Sequence, residues 1–308
     1  MSAAVASRPV LATGLAWGLL AAAIWSVYSV LARHAVKAGM SAGDLTLLCF
    51  LPVGLLMAPL LWRWGWRDLG GIGWRRGVVL AALAGPGFSL LFMSGFAFAP
   101  LAHGAVVAPT CQMPTGLALS ARIAQQGLTR ESWVGAGLVL IGLVCVGGDG
   151  LLHAAGGLSP LGDLLFALAG ACWGLFGALS RRWRVDPLRV TAVVAVLSLL
   201  GFAPVFLWLG DLDRLARAGV GPLAVQILAQ GFGAGLVAVL AFSRAAALLG
   251  SGRAAFFGAL VPGAASLLAI PVLGEVPSTL QVLGLVAVVA GLLVAFGAAR
   301  VLLVREAR

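Results

Sequence analysis

The chain has 308 residues, 61% of them hydrophobic and 10% charged, and a net charge of +10 at pH 7. A soluble domain carries about a quarter charged residues, so this composition excludes one. The positive charge does not mark a nucleic-acid binder either, because the basic residues are nearly all arginines clustered in short gaps between apolar runs, which is a membrane-topology signal.

Ten apolar runs follow one another, each near the ~20 residues that cross a bilayer as a helix. They lie at roughly 11–32, 44–62, 77–98, 103–121, 133–148, 160–180, 190–209, 221–242, 253–273 and 279–299. The ten-residue alternating segments of a transmembrane β-barrel are absent. The expected fold is an all-α membrane protein of ten transmembrane helices with short connections. Both termini then lie on one side. Placing them in the cytoplasm puts sixteen basic residues inside (Arg244 and Arg253 among them) and four outside, namely Arg33, Lys37, Arg214 and Arg217.

Span one opens with Arg8 and an apolar run that could pass for a signal peptide, but its repeat partner in mid-chain argues against cleavage. It carries Trp25 and Tyr28, one helical turn apart, and Tyr28 is the sole tyrosine. With Trp173 and Phe176 on span six, these form either an aromatic box for an apolar or cationic substrate or a packing stripe. Span three contains Gly85, Pro86 and Gly87, and span eight contains Gly233 and Gly235. Such glycines read as hinges or as sites of close helix approach.

Span four holds "PTCQMPTG" (109–116). Pro109 frees the carbonyl of Ala105 and Pro114 that of Thr110. At ~100° per residue, His103, Val107, Thr110, Cys111 and Pro114 share one face, and Gln112 points elsewhere. The stripe lines a substrate path with a flexible joint, or it is a kinked packing helix whose hydroxyls bond back to their own turn. His103 is the one histidine near a span. An imidazole's ordinary pKa of about 6.5 would let it carry a proton or recognise a carboxylate near neutral pH, and His103 stands either in the site or at the membrane interface.

On span eight, Gln226 and Gln230 lie one turn apart and need partners, either other helices or substrate. Arg253 either snorkels to the surface or enters the cavity. Pro262 is a further hinge candidate in span nine. Glu275 follows that span and either caps or pairs at the start of span ten, or couples transport to protons. Asp44 and Asp163 read as helix caps. Cys49, Cys111, Cys145 and Cys172 are scattered singly, with no metal-ligand spacing. No cofactor or metal is expected.

The chain repeats itself. Gly14–Arg33 set on Gly162–Arg181 gives seven matches in twenty positions at an offset of 148, including Trp25 on Trp173 and Arg33 on Arg181. Gly135 and Gly142 fall on Gly284 and Gly291 at an offset of 149. Two units are expected, 1–150 and 151–308, each of five spans. Because five is odd, the second enters the membrane from the opposite side. Inverted repeats of this kind are the signature of secondary transporters, with the ligand site near the midplane.

With these features the sequence resembles the drug/metabolite transporter superfamily, EamA type. The likeness rests on the 5+5 spans, on "AxWGxxxxxxR" in the first span of a repeat, and on Leu260–Phe296, with its mid-helix proline, Gly-Glu pair and glycine-punctuated last helix. It covers essentially the whole chain. In the first copy Gln126 stands where the second has Glu275. The resemblance implies an inner-membrane carrier, usually an exporter of amino acids and related zwitterionic or aromatic metabolites, with drug or toxic-compound efflux as the alternative. It also implies a central cavity surrounded by spans 1, 3, 4, 6, 8 and 9, with 5 and 10 at the periphery. The expected partners are a small-molecule substrate and the lipid bilayer, in a monomer or homodimer, with no nucleic acid. A membrane-embedded enzyme is the weaker reading, because only ten acidic residues are present and none is paired at ligand spacing in a span. A channel is weaker too.

Overall fold

The computed structural model describes residues 8–124, 130–153, 157–249 and 251–295. Gln126, both chain ends and the arginines at 300, 305 and 308 lie outside them, as do the side chains of Arg8, Pro114 and Arg253. The described residues are helical and contain no strand. The helices are α1 (Arg8–Lys37), α2 (Ala42–Gly65), α3 (Trp74–Ala84), α4 (Pro86–Phe98), α5 (Leu101–Ala124), α6 (Arg130–His153) and α7 (Ser159–Arg182). They continue with α8 (Pro187–Leu209), α9 (Leu212–Ala218), α10 (Val220–Gln226), a π-helical segment (Ile227–Val237), α11 (Ala238–Leu249), α12 (Ser251–Leu273) and α13 (Thr279–Ala295). Among the described residues, six stretches are long and apolar enough to cross a membrane: Leu11–Lys37, Ala42–Asp68, Trp74–Phe98, Ser159–Arg182, Pro187–Leu209 and Val220–Leu249. Shorter apolar helices lie at Trp133–Gly142, Leu260–Leu273 and Thr279–Gly291. The chain is a multi-pass membrane protein.

Local chemistry sets the helix starts. Ser41 and Asp44 form a reciprocal capping box at the head of α2. Asp186 caps α8 by accepting from the Arg189 N–H, and Pro187 follows at the first helical position, where its missing N–H costs nothing. The third span, expected as one helix over 77–98, is instead broken at Gly85. A Cβ there would collide with the Ala81 carbonyl and the Ser198 hydroxyl, so only glycine fits, and Pro86 then starts α4. The eighth span is likewise not a plain α-helix, since 11 of its residues form the π-helical segment. The two irregularities sit at equivalent positions, Gly85 and Gly233 being 148 apart. A π-turn in a helix is rare and is found mostly at functional sites.

The main packing pairs are α6 with α13, α2 with α8, α5 and α4 with α7, and α12 and α11 with α1. Replacing each helix by its counterpart in the other half leaves this pattern unchanged. Two of the pairs join a helix to its own counterpart, and both run antiparallel. Gly135 lies opposite Gly291 and Gly142 opposite Gly284, while on α2 and α8 Gly43 faces Phe206 and Gly54 faces Ala195. One apolar core, including Val30, Leu45, Phe92, Phe96, Val107 and Phe166, gathers α1, α2, α4, α5, α7 and α12. A second, including Leu61, Leu69, Leu80 and Val193, joins α2, α3 and α8.

Candidate functional site

A column of rings runs through the first core. Tyr28 stacks on Phe92 with centroids 6.4 Å apart, Phe92 on Phe88 at 5.6 Å, and Phe88 leans on Trp173 at 4.7 Å. Trp173 then meets Phe176 at 5.3 Å. Phe96 and Phe166 close the other end, each edge-on to Phe92. The structure therefore links Tyr28 to Trp173 and Phe176 through two phenylalanines of α4. Trp25 turns away to Phe242 at 5.5 Å. Phe88, Phe92 and Phe96 were missed in the sequence, although their spacing of four puts them on one helical stripe. Aromatic rings bury large areas in specific geometries, so the column both packs the halves together and offers π faces. Tyr28, Trp173 and Phe176 are only partly buried.

Charged groups gather at the end of the bundle that bears Arg33. Arg33 Nε donates to Glu275 Oε1 at 2.9 Å, and its Nη1 donates to the Phe96 carbonyl. Glu275 Oε2 accepts from the N–H of Leu101, the first residue of α5, at 3.0 Å. Lys37 Nζ lies 3.6 Å from Glu275 and donates to the Leu273 carbonyl. Glu275 thus ties α1 to the head of α5. Ser278 and Gln281 cap α13 between themselves, in the reciprocal arrangement of a capping box.

Beside this network His103 is buried, 1% exposed, in the first turn of α5. Its Nδ1 lies 2.8 Å from Asp163 Oδ1 on α7, and its Nε2 lies 3.4 Å from Gln281 Nε2 on α13. Asp163 corrects the sequence reading: α7 starts at Ser159, so Asp163 is past the cap positions and its carboxylate serves His103 instead. Asp44 keeps its cap and adds a second role. Fully buried, it pairs at 2.7 Å with Arg214 of α9, and that hydrogen bond pushes the guanidinium pKa further up.

Within α5, Thr110 donates to the Val106 carbonyl at 2.7 Å and Thr115 to that of Cys111 at 2.6 Å, both one turn back in their own helix. Val107 and Thr110 are buried, Cys111 is half-buried and Gln112 is exposed. Gln226 donates to the Leu31 carbonyl of α1 at 3.2 Å, and Gln230 donates to the Gln226 side-chain oxygen at 2.8 Å. Gln230 is fully buried, and its own side-chain oxygen has no partner among the described residues. A buried acceptor without a donor costs about 1–3 kcal/mol. The same holds of Ser266 Oγ on α12. Arg244 is exposed on α11.

Two cavities stand at opposite ends of the bundle. One, of about 230 Å³, is lined by Pro100, Ser266, Glu275, Pro277, Ser278 and Gln281 beside the Arg33 network. The other, of about 300 Å³, lies among the arginines of the α2–α3 and α7–α8 turns. Neither is lined by Tyr28, Trp173, Thr110 or the glutamine pair. No group of three potential metal ligands exists among the described residues.

Comparison with known proteins adds three findings. Residues 12–148 and 160–297 each match the model of the EamA-like transporter family. An uncharacterized transporter of Bacillus subtilis (strain 168), YyaM, is 26% identical over 227 residues, which is 73% of each chain. A solved crystal structure shares the fold at a TM-score of 0.60 and 20% identity, covering 94% of this chain and 99% of that one.

Proposed function

Since the chain belongs to the EamA-like transporter family, we propose that it is a secondary carrier with ten membrane spans. It exports amino acids or related zwitterionic and aromatic metabolites by alternating access. Its two five-helix repeats are inverted in the cytoplasmic membrane, with both termini on the cytoplasmic side. One observation carries this reading. The packing is unchanged by exchange of the halves, and the helices that meet their own counterparts do so antiparallel. An assembly of two equal, opposed units has two equivalent ways to close, one at each membrane face, which is what alternating access needs.

In this conformation a set of polar contacts holds the Arg33 end together. Arg33–Glu275, Glu275–Leu101 and His103–Asp163 join α1, α5 and α7 across it. Opening that end breaks these contacts while Gly85 and the π-helical segment absorb the bend. The ring column supplies the apolar and π contacts for substrate, and the Gln230 oxygen lacks a donor that a substrate ammonium would provide. The same column would also suit an aromatic cation, so efflux of toxic compounds is the second reading. His103 and Asp163 form the site of proton exchange. Groups facing the ring are the Asp163 carboxylate from α7 and the Gln281 amide from α13, while Glu275, from the α12–α13 turn and held by Arg33 and Lys37, accepts from Leu101, two residues before His103 on α5.

Purified protein in proteoliposomes, screened for uptake across amino acids and cationic drugs, tests the reading. Saturable uptake that Tyr28→Ala weakens is expected. Uptake of no compound above protein-free vesicles would overturn it.

A further inference from the structure

The 300 Å³ cavity at the arginine-rich end belongs to none of the machinery above. Its walls are the α2–α3 turn (Gly70, Gly71, Ile72), the first turn of α3 (Arg76) and the α7–α8 turn with the head of α8 (Trp183 to Asp186, and Arg189). It therefore bridges the two halves. Three guanidinium groups surround it against one carboxylate. That carboxylate, on Asp186, accepts from the backbone N–H of Arg189 and forms no ion pair among the described residues. Arg189 spends one donor on the Gly70 carbonyl at 2.8 Å, of the five a guanidinium carries. Arg76 and Arg184 have no carboxylate partner among the described residues. Two of the cations are held in place by indoles, Arg76 over Trp183 at 5.6 Å and Arg189 over Trp64 at 5.7 Å. A cluster of three guanidiniums around a concave space, two of them held by indoles, is a receptor for phosphate oxygens, which arginine binds through two donors at once.

The surroundings say where that phosphate comes from. Trp62, Trp64, Trp66, Trp74 and Trp183 all lie at this end, Trp62 73% exposed and Trp66 edge-on to Trp74 at 5.6 Å. Tryptophan collects at the depth of the lipid headgroups. The cavity thus opens where a bilayer presents phosphates, and about 300 Å³ is the lower bound of ordinary ligand pockets, a fit for a headgroup rather than a larger solute. We propose that this cavity is a binding site for the phosphate of an anionic membrane lipid, held by Arg76, Arg184 and Arg189 between the two halves. An occupant there ties the α2–α3 turn to the α7–α8 turn and so strengthens closure at the arginine-rich end.

The test is independent of transport. Thermal unfolding is followed in nanodiscs of phosphatidylcholine alone and with phosphatidylglycerol added, and in detergent with inorganic phosphate against chloride at equal ionic strength. Phosphatidylglycerol should stabilise the protein. Arg76→Gln/Arg184→Gln should weaken the apparent lipid affinity by roughly five-fold per arginine lost, while Arg63→Gln, outside the cavity at the same end, should leave it nearly unchanged. If the double variant does not fold, Arg184→Gln alone serves, because its side chain makes no hydrogen bond or ion pair among the described residues. An unchanged lipid response in the cavity variants overturns the proposal. So does an equal loss in Arg63→Gln, which would mean diffuse surface attraction. Equal stabilisation by inorganic phosphate would overturn the lipid assignment.

Discussion

Gly142 and Gly291 occupy one and the same seat, seen twice. A Cβ on Gly142 would stand 2.5 Å from the Gly284 carbonyl oxygen, and a Cβ on Gly291 would stand 2.6 Å from that of Gly135. The two residues are 149 positions apart and lie on α6 and α13, which run antiparallel. Each helix thus presents a glycine to the other's backbone at the same spacing. Small residues allow such close approach where lipid provides no hydrophobic drive between helices.

Gly142→Ala and Gly291→Ala should therefore cost the same, about 1–3 kcal/mol each as overpacking against rigid backbone. Gly137→Ala, on the same α6 with open space around its Cβ, should be neutral or slightly stabilising. Unfolding in mixed detergent micelles measures all three. Unequal costs for the two equivalent glycines would break the symmetry inferred here.

Breaking the Arg33–Glu275 pair should open its end of the bundle. Glu275→Gln removes the charge that holds Arg33, Lys37 and the Leu101 N–H together. A cysteine at Ser266, in the cavity beside this network, should then react faster with a membrane-impermeant maleimide. The charge swap Arg33→Glu/Glu275→Arg should restore closure only in part. It would leave the Phe96 carbonyl and the Leu101 N–H without their present partners.

Asp163→Asn keeps the shape of the His103 contact and removes its charge. Uptake driven by a pH gradient should fall at least ten-fold, while exchange of substrate at equal pH on both sides persists. Uptake that ignores the gradient, or is unaltered in both His103→Gln and Asp163→Asn, would end the proton reading and leave a facilitated carrier.

Gln230→Met tests the unpartnered oxygen. The substitution removes a buried acceptor that has no donor but also strips the buried Gln226 side-chain oxygen of its donor, two opposed costs of about 1–3 kcal/mol each, so stability should stay nearly unchanged. Uptake should fall. A stable variant with full uptake would make the glutamine pair a packing feature only.

What could be read from sequence follows the reach of the interactions. Apolar run length placed the helices, and the 148-residue offset matched α1 to α7 before any contact was known. The glycines at 85, 87, 233 and 235 read from sequence as hinges or close approaches, with no sign of a helix break or a π-helical segment. A break and a π-helical segment depend on which neighbour presses on the backbone, such as Ser198 against Gly85. Asp163 was mistaken for a cap because its partner lies 60 residues away. Arg33 counted only as a topology charge because Glu275 lies 242 residues away. Pairings of this kind are set by how α1, α5, α7 and α12 come together, and no local pattern encodes them. Thr110 and Thr115 went the other way: their back-bonds are local, and the sequence already allowed for them.

The proposed inversion of the halves can be tested directly at one pair of equivalent positions. Ala38 and Asp186 are 148 residues apart, both exposed, just beyond α1 and just before α8. In a background with the four native cysteines replaced, Ala38→Cys and Asp186→Cys are labelled with an impermeant maleimide on intact spheroplasts and again after permeabilisation. Opposed halves predict that Ala38→Cys reacts in intact cells and Asp186→Cys only once the membrane is opened. Labelling of both positions from the same side would contradict the account.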